Sequence, residues 1–208
     1  MWVKVCGWND PQILQRSLSL TQPDAIGLNF YAQSVRSVTI SQAKLLRQIL
    51  PPEVAAVGVF VNHSRDEILE AAASVGLSHI QLHGDESPEF AAALAPLSVI
   101  RVYRLKEPDL RTIEQDLRSL SSLNVRPWAC LVDAWHEQEY GGTGQAAPWS
   151  ALRDWPGHWP PLILAGGLTA SNVTGAIHEV GPFGVDVASG VESTRGVKDP
   201  RRVDEFVT

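Results

Sequence analysis

The sequence predicts a single (β/α)8 barrel, an α/β fold in which eight parallel strands form an inner wall that helices cover. Short runs rich in Val, Ile and Leu recur along the chain of 208 residues, and helical periodicity or helix-start signals follow them. The runs start roughly 20 to 34 residues apart, about the length of one strand and helix unit. An open doubly wound sheet would show the same alternation, but eight units of modest length favour closure into a barrel. The predicted strands are Trp2–Cys6, Ala25–Phe30, Ala55–Val61, His79–Leu82, Val99–Leu105, Trp128–Asp133, Leu162–Ala165 and Gly184–Ala188.

Helix-start signals between the strands support this assignment. Three sequence pairs place a side-chain oxygen before a proline, which has no N–H group to leave unpaired. Ser64 and Glu67 form a capping-box pattern, and Gly181 is expected to end the helix after the seventh strand. The three pairs are Asp10-Pro11, Ser87-Pro88 and Asp199-Pro200.

The alternation weakens between residues 134 and 161. This stretch holds a Gly-rich segment, a short predicted helix near Trp149–Arg153 and a loop rich in Trp and Pro. Because nothing in it resembles a linker between domains, we interpret it as an elaborated loop on one unit. One catalytic domain over residues 1–208 is therefore expected.

Composition and charge argue against several classes of function. The formal net charge of −6 disfavours nucleic-acid binding, which needs clustered Lys and Arg. No apolar run reaches the roughly 18 residues of a membrane helix, and no signal segment is recognised, so a cytoplasmic protein without a membrane partner is expected. The two cysteines, Cys6 and Cys130, form neither a CxxC pair nor a cluster at zinc-ligand spacing. No metal site is therefore expected.

Polar residues and glycines follow most of the predicted strands. In a barrel of parallel strands, all the carboxyl ends meet at one face, where the active site is built. Such residues would be poorly placed in an apolar core, and they suit a solvent-filled cleft. The strand-end candidates are Cys6-Gly7, Asn29, Arg36, Asn62, His83-Gly84-Asp85, Arg104, Asp133, Gly166-Gly167 and Ser189-Gly190.

Glycine-containing turns after the last two strands predict a phosphate site. Glycine lets the backbone approach a ligand closely, so that successive N–H groups can point at phosphate oxygens, and many barrels hold phosphate at this place. Gly166 and Gly167 follow strand 7, and Ser189 and Gly190 follow strand 8. A third flexible loop follows strand 6 and contributes Gly142 and Gly144 as candidates; its sequence is Gly141-Gly142-Thr143-Gly144.

An ordered set of motifs resembles the phosphoribosylanthranilate isomerase family of tryptophan biosynthesis. Each motif alone is modest support, but the set runs in order over essentially the whole chain. The resemblance implies a (β/α)8 barrel that converts N-(5-phosphoribosyl)anthranilate to carboxyphenylamino-deoxyribulose phosphate by an Amadori rearrangement, without a cofactor. The motifs are Lys4-Val5-Cys6-Gly7, Gln81-Leu82-His83-Gly84-Asp85-Glu86, Leu131-Val132-Asp133-Ala134, Gly141-Gly142-Thr143-Gly144, Leu164-Ala165-Gly166-Gly167-Leu168, Gly184-Val185-Asp186-Val187-Ala188-Ser189-Gly190-Val191-Glu192 and Gly196-Val197-Lys198-Asp199.

The resemblance implies an acid and base pair. It gives Cys6 the role of general base and Asp133 the role of general acid. The reaction needs both, because the ribose ring oxygen must gain a proton as the ring opens and C2 must then lose one. On this interpretation the pKa of Cys6 should be lowered and that of Asp133 raised toward neutrality.

The resemblance also assigns residues that bind and line the substrate. Arg36 matches the arginine that binds the anthranilate carboxylate, for which a guanidinium can form two parallel hydrogen bonds. Asp186 matches a substrate-contacting aspartate, and His83 is expected to line the site or support it structurally. Cys130 is expected to be a core thiol within its strand.

Three positions depart from the family pattern. Trp8 and Val35 stand where the family more often has an aliphatic residue and a proline, and Gln145 stands where a lysine is usual. These departures concern loop shape and the charge near the phosphate, and they leave the acid and base pair unchanged.

Two other functions remain open at this point. The related aminoaldose isomerase of histidine biosynthesis performs the same kind of rearrangement, but typically with paired aspartates at strands 1 and 5, whereas strand 1 here ends in Cys6. A catalytically silent protein that binds a phosphorylated ligand would keep the cleft without turnover. The sequence is compatible with a monomer or a homodimer.

Overall fold

The computed structural model describes residues 1–105, 109–134 and 149–208. Eight parallel strands close into a barrel in sequence order, with β1 hydrogen-bonded to both β2 and β8. This confirms the predicted (β/α)8 fold, the TIM barrel. The barrel strands are β1 (Trp2–Cys6), β2 (Ala25–Asn29), β3 (Ala55–Phe60), β4 (His79–Leu82), β5 (Val99–Leu105), β6 (Ala129–Ala134), β7 (Leu162–Leu164) and β8 (Gly184–Val187).

Helices follow most of the strands, and a small hairpin precedes the last helix. The short helix predicted near Trp149–Arg153 is a 3-10 turn over Trp149–Leu152, and a second 3-10 turn spans Ser189–Val191. The hairpin consists of β9 (Glu192–Thr194) and β10 (Val197–Lys198). The α-helices are α1 (Pro11–Leu18), α2 (Ile40–Gln48), α3 (Arg65–Val75), α4 (Pro88–Ala92), α5 (Arg111–Ser122), α6 (Val173–Val180) and α7 (Pro200–Val207).

Where predicted and observed strand ends differ, they differ by one residue. Phe30 and Ala165 were predicted as strand residues and lie just outside β2 and β7. Each still donates its backbone N–H to the neighbouring strand, to Val59 over 2.9 Å and to Val132 over 2.9 Å. Strand ends fray in this way because a terminal residue keeps only part of its ladder hydrogen bonding.

The helix ends follow from local side-chain chemistry. The Asp10 carboxylate accepts the N–H groups of Gln12 and Ile13, over 2.8 and 3.0 Å, and so pairs donors that the first turn of α1 would leave unsatisfied. Ser64 and Glu67 form the predicted capping box on α3. Gly181 ends α6 in the left-handed conformation, as predicted.

The apolar core occupies two places. One part packs the outer strand faces against the helices and includes Val5, Leu14 and Ile26. The other fills the barrel itself, where Ile100 and Leu131 belong to a buried cluster. Polar side chains that point inward therefore lie toward the carboxyl ends of the strands.

An aromatic cluster lies at the amino ends of the strands. The Trp2 and Trp128 rings lie 5.4 Å apart, and Phe183 and His79 pack against this pair. The barrel is therefore filled by rings at one end and carries its cavity at the other. Of the described helices, none combines the length and the apolar character that a membrane span requires.

Candidate active site

A cavity of about 360 Å³ lies at the carboxyl ends of the barrel strands. Its wall combines strand-end residues with the loops that follow β2, β7 and β8. A cleft of this volume is within the range that holds a small ligand, and its place is where such barrels carry their active sites.

Most of the predicted site residues line this one cavity. The structure thus brings together residues from strands far apart in the chain, as expected for strand ends that share one face. Gly142 and Gly144, with the rest of the loop at 141–144, lie outside the described residues. The predicted residues that line the cavity are Cys6, Arg36, His83, Asp133, Gly166, Gly167, Asp186 and Ser189.

Gly190 is placed differently from the other predicted phosphate residues. It is not among the described residues that line the cavity. A Cβ atom at this position would lie 1.9 Å from the backbone oxygen of Leu168, which does line it. The absence of a side chain at Gly190 therefore lets the loop after β8 pack on the loop after β7.

A buried ion pair lies beside the predicted base. Lys4 is fully buried, and its Nζ lies 2.8 Å from Oδ1 of Asp186. Burial disfavours the charged amine, but Asp186 and Cys6 outweigh this effect and raise the pKa of Lys4. Lys4 is therefore a cation next to the Cys6 thiol.

The pKa of Cys6 is raised above its ordinary value, contrary to the expectation from the sequence. Burial is the largest cause because it disfavours the thiolate, and the nearby Asp186 carboxylate acts in the same direction. Lys4 and Lys198 lower the pKa without overcoming these effects. Cys6 is thus a neutral thiol at neutral pH.

The predicted acid lies next to His83. His83 Nε2 is 3.6 Å from Oδ2 of Asp133, and its Nδ1 is 3.0 Å from Nε2 of Gln81. Burial, with the positive charges of Arg104 and Lys4, lowers the pKa of His83 to about 3. The imidazole is therefore neutral in the working range of an ordinary enzyme.

Arg36 lines the cavity and is held by an internal carboxylate. Its Nε and Nη2 donate to the two carboxylate oxygens of Glu192, over 2.7 and 2.9 Å. Lys198 donates to the same carboxylate over 2.6 Å. Although burial alone would raise it, these donors lower the pKa of Glu192 to about 2. The sequence led us to expect two parallel hydrogen bonds from Arg36 to a substrate carboxylate. In the structure, one edge of the guanidinium forms these two bonds with Glu192.

Gly7 makes room for the Arg36 side chain. A Cβ atom at Gly7 would lie 2.5 Å from Cδ of Arg36. Gly7 also has a φ of +86°, in the region that residues with a side chain rarely adopt. The glycine next to the base therefore serves the packing of the arginine.

The structure shows the surroundings of two of the three residues that depart from the family pattern. Trp8 is 1% exposed and belongs to the apolar core. Val35 is 53% exposed and lies at the rim of the cavity, where its backbone oxygen accepts the Asn9 side-chain N–H over 3.4 Å. Gln145 lies outside the described residues.

Four residues that support the site received no role from the sequence, although each stands in one of the quoted motifs. Lys4, Gln81 and Lys198 are buried polar residues within strands, and Glu192 starts β9. A lysine two residues before Cys6 in an apolar strand was a usable signal, because lysine is almost never fully buried without a partner. Glu192 ends one of the quoted motifs, but nothing local shows its role, since its arginine partner is 156 residues away.

The Cys130 thiol is fully buried in β6, as predicted. Burial, with the nearby Asp116 carboxylate, raises its pKa to about 12. In the part of the chain that the structure describes, no group of three or more His, Cys, Asp or Glu residues is arranged to hold a metal ion.

Comparison with known proteins gives a consistent result over the whole chain. The family model described as N-(5'phosphoribosyl)anthranilate (PRA) isomerase matches residues 3–208. The N-(5'-phosphoribosyl)anthranilate isomerase of Acinetobacter calcoaceticus is 40% identical over 206 residues, which are 98% of this chain and 93% of that protein.

Solved structures agree with the sequence comparison. Phosphoribosyl anthranilate isomerase from Thermotoga maritima superposes with a TM-score of 0.85 at 34% identity, covering 99% of this chain and 96% of that one. A second solved isomerase, in complex with reduced 1-(o-carboxyphenylamino)-1-deoxyribulose 5-phosphate, has a TM-score of 0.80 at 33% identity, covering 99% and 95%. The chain therefore belongs to the N-(5'-phosphoribosyl)anthranilate isomerase family.

Proposed function

We propose a division of roles within the reaction of this family, with Cys6 as general base and Asp133 as general acid. Family membership makes the chain an isomerase that converts N-(5'-phosphoribosyl)anthranilate to 1-(2-carboxyphenylamino)-1-deoxyribulose 5-phosphate in tryptophan biosynthesis. The observation that carries the proposal is that both side chains line one cavity.

The acid acts first in this scheme. Asp133 donates a proton to the ribose ring oxygen, the C1–O bond breaks, and the anthranilate nitrogen supplies the electron pair that forms an iminium. Asp133 is buried at the end of β6, where a carboxyl group can deliver a proton to a substrate atom without competition from bulk water. The ring opens and leaves Asp133 as a carboxylate.

The base acts second. Cys6, as a thiolate, removes the proton from C2, and the C–H electron pair moves to give an enolamine that tautomerises to the ketone. Burial raises the pKa of Cys6, and the Lys4 ammonium opposes that rise, so Lys4 stabilises the thiolate form that the step requires. The active form of the base therefore becomes more populated as pH rises.

The two ends of the substrate are held by different residues of the wall on this proposal. Arg36 binds the anthranilate carboxylate, while Glu192 fixes the orientation of the guanidinium. The backbone turns at Gly166-Gly167 and Ser189 hold the phosphate. Gly142 and Gly144 complete the phosphate site on this proposal, and Gly190 supports it by letting the loop after β8 pack on the loop after β7. Asp186 contacts the substrate beside Lys4.

The chain acts as one catalytic domain over residues 1–208 on this proposal, as a monomer or a homodimer, without a cofactor. A relative from Thermotoga maritima is a dimeric enzyme, and size-exclusion chromatography with light scattering distinguishes the two states here. A base that is a free thiol suits the reducing cytoplasm.

Turnover of freshly generated N-(5'-phosphoribosyl)anthranilate tests the pair. Cys6→Ala and Asp133→Ala should each lower kcat by roughly 10²- to 10⁴-fold, the range for loss of a general acid or base. Cys130→Ala is the matched control for loss of a thiol, because Cys130 is buried away from the cavity lining. Unchanged kcat in both site variants would overturn the assignment, and an inactive wild-type protein would favour a silent binding protein.

A further inference from the structure

We propose that Gln81 is a positioning residue that fixes the proton of His83 on Nε2, so that a neutral N–H group faces Asp133. The inference rests on the proposed role of Asp133 as the acid. It gives Gln81 the role of a hydrogen-bond donor to His83, and it gives His83 the role of a donor that faces Asp133.

The geometry follows from β4. Gln81 lies in β4, two residues before His83. Alternation along an extended chain places both side chains toward the barrel interior, where both line the cavity. Gln81 is fully buried, and His83 is 7% exposed. The amide Nε2 lies 3.0 Å from Nδ1 of His83, a normal hydrogen-bond distance.

This contact determines which ring nitrogen carries the proton. A neutral imidazole has one donor nitrogen and one acceptor nitrogen. When the Gln81 amide donates to Nδ1, the lone pair is on Nδ1 and the hydrogen is on Nε2. Nε2 is the atom that lies 3.6 Å from Oδ2 of Asp133.

The opposite arrangement is electrostatically poorer. If the Gln81 amide were rotated, its oxygen would accept from Nδ1–H, and an Nε2 lone pair would face the carboxylate that Asp133 becomes once it has given up its proton. Two electron-rich groups would then oppose each other in a buried site, where such contacts are costly. The Nε2–H form instead directs a donor toward the carboxylate that remains after Asp133 has given up its proton.

The neutrality of His83 matters as much as its tautomer. An imidazolium at this distance would hold Asp133 as a carboxylate and so prevent it from serving as an acid. The charged groups near the ring are Lys4, Arg104 and Asp133; burial and the two cations keep the ring neutral, with a pKa of about 3. A neutral N–H donor stabilises the carboxylate less, so Asp133 can regain its proton for the next turnover.

The experiment measures the proton directly in the resting enzyme. Histidine labelled with ¹⁵N distinguishes protonated from unprotonated ring nitrogens by NMR, and His83→Gln identifies the signals among the six histidines of the chain. We expect wild-type His83 to be the Nε2–H tautomer and to stay neutral at acidic pH values where exposed histidines become charged. In Gln81→Met, which keeps side-chain length and removes the amide, a mixture of both tautomers is expected.

Kinetics provide the second measurement. Gln81→Met should lower kcat by roughly 10- to 100-fold, the effect of removing a group that orients a catalytic residue, with KM changed less than kcat. Gln115→Met, the same substitution at an exposed position on α5, is the control and should leave kcat unchanged.

Several outcomes would overturn the inference. An Nδ1–H tautomer in the wild-type protein, or an unchanged tautomer in Gln81→Met, would do so. If Asp133→Asn lost activity while Gln81→Met kept it, the inference about Gln81 would fail, and Asp133 would remain the proposed general acid. If Asp133→Asn kept full activity, the proposed acid itself would fail, which separates the two claims.

Discussion

Nζ of Lys4 and Oδ1 of Asp186 lie 2.8 Å apart inside the barrel, on adjacent strands whose register pairs these two residues directly. Neither charge is exposed to bulk solvent to an appreciable extent. A buried pair of this kind is costly to break, because removal of one partner leaves the other charge uncompensated. Because the pair lies next to Cys6, a substitution that breaks it should change both the stability of the barrel and the pKa of Cys6.

Lys4→Met should raise the pKa of Cys6 further. Lys4 favours the thiolate and Asp186 disfavours it, so loss of the ammonium removes the stabilising charge and leaves the opposing one. The rate of iodoacetamide modification of Cys6, followed against pH by mass spectrometry, should have a midpoint above the ordinary thiol value of about 8.5 in the wild type and a higher one in the variant.

The control for this experiment is Lys44→Met, at an exposed position on α2, which should leave the midpoint unchanged. If Lys4→Met does not fold, Lys4→Met combined with Asp186→Leu removes both buried charges and still removes the ammonium from Cys6. Identical midpoints in wild type and in folded Lys4→Met would show that Lys4 does not act on the thiol. The double variant is compared with Asp186→Leu alone, because loss of Asp186 by itself lowers the pKa of Cys6.

Glu192→Gln should destabilise the fold at neutral pH by about 3 kcal/mol or more, because Arg36 and Lys198 would then face each other without their shared carboxylate. The pKa of Glu192 is depressed in the folded state, so its stabilising effect is present above the ordinary glutamate pKa of about 4.5. That effect is lost as pH falls from there through about 2.

Urea unfolding at several pH values measures both parts of this prediction. The wild type should lose stability between about pH 4.5 and 2, and Glu192→Gln should lose less over the same range. Glu53→Gln, at an exposed site, should resemble the wild type. Equal acid dependence in all three proteins would refute the assigned role of Glu192.

Arg36→Lys should raise KM more than it lowers kcat. Lysine cannot form two parallel bonds with Glu192 and bind a second carboxylate at the same time. Loss of a hydrogen bond between charged groups costs about 1.5–3 kcal/mol, which corresponds to a rise in KM of roughly 10- to 150-fold. Steady-state kinetics measure this, with the exposed Arg16→Lys as control; a KM close to the wild-type value would remove Arg36 from carboxylate binding.

Gly190→Ala should destabilise the protein strongly. The added Cβ would lie 1.9 Å from the Leu168 oxygen, a backbone atom that cannot move without shifting the loop after β7. Forced overpacking costs about 1–3 kcal/mol and sometimes more. Gly157→Ala is the matched control, because no atom lies within 4 Å of its added Cβ. Thermal unfolding compares the two, and an equal Tm for both variants would contradict the structure here.

The fold could be predicted from the sequence because its signals are local. The Asp10 carboxylate and the Ser64 hydroxyl cap helices two or three residues away, and alternation of runs and helices needs no knowledge of distant contacts. The eight-strand order then follows, since neighbouring units pack side by side in a barrel.

The details of the site depend on contacts that no local pattern contains. Arg36 was identified as a binding residue, but its partner Glu192 lies 156 residues further along the chain. The direction of the Cys6 pKa shift was predicted wrongly because burial outweighs the cation beside it, and burial is a property of the assembled barrel. The family motifs located Cys6 and Asp133, but they could not show whether burial or the Lys4 charge has the larger effect on the pKa of Cys6.

The tight contact between Gly7 and Arg36 constrains how this enzyme can change by mutation. Any side chain introduced at Gly7 would meet the arginine stem at 2.5 Å, so the residue after the base cannot be diversified while the arginine remains in place. Shortening Arg36 would not lift this constraint, because the positive φ of Gly7 would strain any side chain placed there. A library intended to reshape this part of the cleft would therefore keep Gly7 and vary other residues of the wall.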